Sequence, residues 1–173
     1  MRQVLYHKAD WPSHKQACGK PDGSAEPPSA ARSSSAASAL SPPKGLDGGI
    51  SKPFSRLDDD TWLHGRSEND VYRLLIDACR LRAEDAYSFE GSPQHDSIYA
   101  GAPDGRRGFA RFLDRAATRR GLLPRWWTPE KRAACERLGM DASQWHDLRC
   151  AVKKSDIIDH YGDTRFPMQL RMV

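Results

Sequence analysis

Residues 19–52 set the limit on how much of this chain can pack. Of these 34 residues, 24 are Gly, Pro, Ser or Ala, and only Leu40, Leu46 and Ile50 are large and apolar. So little apolar surface does not offset the entropy of ordering the segment, and a disordered linker is expected over 19–52. The composition changes at Pro53. Four of the five tryptophans and all five phenylalanines lie beyond it. The packed part is therefore placed at residues 53–173, long enough for one independent core. A short separate segment, 1–18, precedes the linker.

Residues 53–173 read as a series of helices. Ser67 is an N-cap, and Glu68 and Asp70 put negative charge in the first turn of a helix running to about Tyr87. Val71, Leu74, Leu75, Ala78 and Arg82 mark one face; Tyr72, Ile76 and Cys79 widen it into the stripe of a central helix. Gly and Pro punctuate a loop over 88–105. A second helix spans about Arg106 to Arg119, with Phe109, Phe112, Leu113 and Ala116 inward and Gly121 as its stop. Thr128-Pro129-Glu130 is a cap, a first-turn proline and an acid, opening a helix to Leu138 that Gly139 ends. Asp141 is placed as the cap of a further helix, Ala142 to about Lys153, with Trp145, Leu148 and Val152 inward. Ser155 to Tyr161 forms a short helix closed by Gly162, and Phe166 to Met172 is compatible with a last one. The fold class is mainly α: a compact helical domain behind a disordered linker and a short helical segment.

Charge and cysteine usage narrow the function classes. The chain carries 27 Lys and Arg against 23 Asp and Glu, a formal +4 that is spread out. That is unlike the dense basic patch of a nucleic-acid binder, so no nucleic-acid partner is expected. The arginines of 106–120 are read as a solvated helix face. Cys18, Cys79, Cys135 and Cys150 are far apart and form no C-x-x-C, as in an intracellular chain with reduced thiols. No run approaches ~18 apolar residues, so no membrane span is expected. The expected compartment is intracellular: nuclear, cytoplasmic or mitochondrial.

The polar candidates are His95-Asp96, His146-Asp147, and Asp156 with His160 at i, i+4. Cys150 also stands four residues after His146, as in a Cys–His pair on one helix face. No H-E-x-x-H, nucleophile elbow, dinucleotide fingerprint or kinase set is present. The reading is therefore no enzyme. The alternative is a helical enzyme domain with a His/Asp-based site, which requires His95, His146, Asp156 and His160 to gather at one pocket.

The stretch Lys8-Ala9-Asp10-Trp11-Pro12-Ser13-His14-Lys15-Gln16-Ala17-Cys18 resembles the end of a MYND-type zinc finger, with Trp11, His14, Lys15 and Cys18 in register. The resemblance implies that His14 and Cys18 are the last two metal ligands of the second zinc site. Tyr6 and Arg2 stand where that family has its preceding cysteines, and the earlier ligands would lie before Met1. A structural zinc site closes with four N or S donors, so residues 1–18 are read as a truncated finger remnant. Zinc is the cofactor the family implies, and stable binding by two donors is not expected. Adding His7 gives three donors on one helical face, which Pro12 interrupts.

Other motifs resemble the C-terminal region of fungal MYND-finger proteins. They are Thr61-Trp62-Leu63-His64, Asp70-Val71-Tyr72-Arg73-Leu74-Leu75-Ile76-Asp77, Leu81-Arg82-Ala83-Glu84-Asp85, Asp96-Ser97-Ile98-Tyr99, and Ser155-Asp156-Ile157-Ile158-Asp159-His160-Tyr161-Gly162-Asp163. Those proteins extend past the equivalent of Val173. The resemblance implies a protein–protein interaction or regulatory, transcription-associated factor. Its implied partner is a protein, including proline-containing peptides.

Overall fold

Ser67 opens the longest helix. Its hydroxyl accepts the Asp70 amide at 3.2 Å, satisfying one of the free N–H groups of the first turn. In the computed structural model, which describes residues 40–173, this helix runs Glu68–Ser88. Six α-helices are found among the described residues. They are α1 (Pro53–Asp58), α2 (Glu68–Ser88), α3 (Arg106–Thr118), α4 (Pro129–Leu138), α5 (Lys154–Tyr161) and α6 (Phe166–Arg171). A 3₁₀ turn, Ile98–Ala100, lies in the loop after α2. The described residues are thus mainly helical, as the periodicity indicates.

The broad stripe of α2 makes it the axis of the domain. Val71, Leu74, Leu75 and Ile76 are fully buried on it, and α3, α4, α6 and the 3₁₀ turn pack around it. Phe109 and Leu113 of α3, Cys135 of α4, Ile157 and Tyr161 of α5, and Phe166 and Leu170 of α6 complete the core. Arg82, placed on the apolar face from its spacing, is exposed; the buried arginine of α2 is Arg80. Thr128 caps α4 through the Lys131 amide, and Gly162 ends α5 in the left-handed conformation.

Two boundaries differ from the sequence reading. The linker assigned to 19–52 gives way to a packed strap by Ser41. Ser41 and Ile50 exchange both backbone hydrogen bonds at 2.9 Å, and Ile50 is buried. The amides of Asp47 and Gly48 donate to the Asp70 carboxylate, and Arg66 donates to the Gly48 carbonyl. Composition alone treats Gly, Pro and Ser as uncommitted; here the backbone groups of Ser41 and Gly48 find fixed partners within the strap, at Arg66 and on α2. Gly45 shows how close the approach is: its φ is +82°, and a Cβ there would meet the Tyr161 ring at 2.9 Å.

The helix expected over 142–153 does not form. Turns and bends occupy 142–145 and 148–150, and the rest of the chain to Lys153 is irregular. The Asp141 carboxylate accepts from the amide and hydroxyl of Ser143, closing a local turn. Tertiary partners then take the backbone groups a helix would use. Arg80 donates to the carbonyls of Trp145 and Cys150, and Leu148 bonds to Gly139 and Gly105 through its amide and carbonyl. Leu148 and Val152 still reach the core, whereas Cys150 is exposed.

Candidate functional site

Asp77 lies on the buried face of α2 with no solvent exposure, and a carboxylate there requires partners. It has three. Arg80, one turn along α2, donates Nη1 to Oδ1 at 2.9 Å. Oδ2 accepts the Tyr161 hydroxyl of α5 at 2.6 Å and His146 Nδ1 at 2.9 Å. Arg80 also lies with its guanidinium 4.8 Å from the centre of the Trp145 ring. Burial first, then the Asp77 charge, pushes the Tyr161 phenol well above its ordinary value. All four side chains are thereby committed to one another inside the domain.

His160 of α5 stacks face to face on Trp145, 3.8 Å between ring centres, with the edge of His146 5.4 Å away. Its Nε2 is buried and has no hydrogen-bond partner. Burial and then the neighbouring His146 hold its pKa below the usual 6.5. The folded state therefore resists the proton. Above about pH 6.5 neither state carries it; as pH falls, the unfolded chain protonates first and stability declines, levelling off once both states are protonated. Urea midpoints are expected to fall on acidification from about pH 7 to pH 5, and His160→Gln should flatten that slope. A slope that survives the substitution would assign the effect to another group. Asp96, held low mainly by its hydrogen bond to Arg111, acts in a separate window below 3.8.

The other candidates are dispersed. His95 is exposed, while Asp96 is buried and paired with Arg111 of α3. Asp147 pairs with Arg149. Asp156 is exposed at the start of α5, where it accepts the Lys153 amide. Without the 142–153 helix, His146 and Cys150 share no helical face, and the Cys150 thiol lies by Asp147 instead. Burial pushes the Cys79 thiol up to about 12 and the Cys135 thiol higher still, leaving neither as a nucleophile at neutral pH. The structure joins His146 with His160 and sets His95 and Asp156 apart. Sequence reasoning missed Asp77, Arg80 and Tyr161. The signal was an i, i+3 acid–base pair inside the apolar stripe of α2.

The zinc ligands assigned from the finger resemblance, His14 and Cys18, lie outside the described residues. Among the described residues, no three His, Cys, Asp or Glu side chains converge so as to hold a metal ion. The Cys135 thiol is fully buried against the Tyr72 carbonyl and offers no donor to such a site. Two donors alone do not fit a closed structural zinc site.

Three cavities bear on binding. One, of about 40 Å³, lies between α2, the 3₁₀ turn and α3. A second, of about 380 Å³, lies between α2, α3 and α6. A third, of about 730 Å³, is open at the start of α3 beside His95, Arg106 and Arg107. Neither His146 nor His160 lines any of these three. The arginines of 106–120 are divided: Arg106, Arg107 and Arg111 border the third cavity, Arg115 and Arg119 the second. No described helix is long and apolar enough to cross a membrane. The chain matches no protein-family model, no curated protein and no solved structure.

Proposed function

We propose that this chain is a regulatory interaction factor related to MYND-finger proteins, and that its helical domain holds a protein partner. The carrying observation is the set of large apolar side chains left at the surface. Phe89 is 78% exposed, Met168 58% and Tyr87 52%. The paired Arg171 and Asp85 side chains fasten α6 to the end of α2. Phe89 follows that end of α2, and Met168 and Met172 lie within one turn of Arg171. Large apolar side chains left exposed on two helices that are fastened together suit a protein contact better than solvent. The internal commitment of Asp77, Arg80, His146 and Tyr161 supports binding over catalysis.

The test compares proteins that co-purify with the tagged full chain, with Phe89→Glu/Met168→Glu, and with His14→Ala/Cys18→Ser. A partner set lost from the first variant and kept by the second is expected. If nothing exceeds a tag-only control, the interaction reading fails. A set that depends on His14 and Cys18 alone would move the contact to the finger.

A further inference from the structure

Resting on that interaction reading, we infer that the trough between α2 and α3 takes an acidic, amphipathic segment of a partner protein. Two of the cavities are parts of one trough, because Arg82, Phe112 and Arg115 line both. On one side of this divide is the small hollow, walled by Ala83, Ile98 and Leu148. On the other is the larger one, floored by Ala78, Ala116, Leu122 and Leu170. The small hollow is mainly apolar, whereas the larger one has an apolar floor beneath a charged wall of Asp85, Glu90, Arg119 and Arg171.

The divide itself carries two cations. Arg82 of α2 and Arg115 of α3 are exposed, and neither guanidinium has an ion-pair or hydrogen-bond partner among the described residues. Their neighbours differ: Arg111 is tied to Asp96, Arg119 to Asp60 and Arg171 to Asp85. Two unneutralised guanidiniums between a small apolar hollow and the apolar floor of a larger one define a pattern for the occupant. It needs one or two carboxylates at the middle, where forked hydrogen bonds to Arg are strongest. It also needs a large apolar side chain to either side. The order apolar–acid–apolar is met by an acidic peptide segment. A nucleic-acid strand fits less well, because it would run a continuous line of phosphates along a trough in which only Arg82 and Arg115 are free to meet them.

The full chain is to be panned against a phage-displayed random peptide library. Enriched sequences are then synthesised with a fluorescein label and titrated by anisotropy. Expected sequences carry Asp or Glu flanked by Leu, Phe, Met or Trp. Arg82→Glu/Arg115→Glu should weaken them by about tenfold or more, and raising salt should weaken them further. The same peptides with Lys for each acid should bind the charge-reversed protein better than the original one. Both arginines are exposed and unpaired, so the helical circular dichroism should be unchanged; Arg82→Gln/Arg115→Gln serves if charge reversal disturbs the fold. Peptides that bind the charge-reversed protein equally well overturn the trough and leave the interaction reading standing. Failure to enrich any peptide overturns the trough and leaves the interaction reading to its own co-purification test. A single-stranded RNA oligonucleotide that outcompetes the peptides overturns the assigned occupant.

Discussion

Asp77→Ala is expected to destabilise the domain by about 3–5 kcal/mol, the loss typical of breaking a buried ion pair by removing one partner. The substitution leaves the buried Arg80 guanidinium without its anion. Two hydrogen bonds to the carboxylate are lost as well, from the Tyr161 hydroxyl and His146 Nδ1. The Arg80 bonds to the Trp145 and Cys150 carbonyls survive but supply no countercharge. Because the damage is an unpaired charge, removing that charge should restore part of the stability. Asp77→Ala/Arg80→Met is expected to be less destabilised than the sum of the two single changes. Urea denaturation followed by circular dichroism measures all four proteins of the cycle. A loss below about 1 kcal/mol for Asp77→Ala would mean the pair behaves as a surface pair and the buried network is not what holds α5 to α2.

The helices legible in the sequence are those whose ends carry their own chemistry. Ser67 with Asp70, and Thr128 with Pro129, satisfy first-turn amides locally, and both helices begin as expected. The helix assigned to 142–153 carried comparable signals, an acid cap and apolar residues at helical spacing. It fails because Asp141 turns its carboxylate to Ser143, and because Arg80, 65 residues from Trp145 in the chain, claims the carbonyls. No local pattern reports a partner at that separation. The strap was lost for a related reason. Gly48 and Ser41 look uncommitted until Arg66 and the α6 residue Gln169 are brought to them. Leu46 and Ile50, the two apolar residues just before Pro53, were the visible hint; Ile50 joins the core and Leu46 packs against it.

The same physics separates the readable from the unreadable in the candidate site. His146 and His160 are 14 residues apart, and only the non-helical path of 142–153 brings their rings together. The ionisable pair Asp77 and Arg80 was missed although its i, i+3 spacing on a helix was there to be read. Its depth was not, because burial of a charge depends on Tyr161 and His146 arriving from later in the chain. His95 with Asp96 illustrates the reverse error. Adjacent in sequence, the two face different surroundings: Asp96 is bound inward by Arg111, and His95 remains in solvent. Adjacency along an irregular loop does not imply a shared site.

Trp62→Ala is expected to cost about 3–5 kcal/mol, the range for removing a large buried aromatic ring. With it, the thermal midpoint should drop by roughly 10 °C or more. The indole is fully buried, its ring centre 6.0 Å from that of Phe166 on α6 and 4.9 Å from the Arg66 guanidinium. Its Nε1 donates to Gln169 Oε1 at 3.2 Å. Gln169 Nε2 donates in turn to Ser41 Oγ at 2.8 Å, and that hydroxyl donates to Asp163. The indole thus anchors a hydrogen-bonded line from the segment before α2, through α6, to the strap. Trp62→Phe separates the two contributions. It keeps most of the apolar contact but strands the Gln169 carbonyl oxygen, for an expected loss of about 1–3 kcal/mol. If the line is continuous, Trp62→Phe and Ser41→Ala should be coupled, their combined effect differing from the sum by about 0.5 kcal/mol or more. Additive effects would show that the strap and Trp62 are held independently. In that case the 40–52 segment would be a covering on the domain, and the composition break at Pro53 would mark the true edge of the cooperative unit.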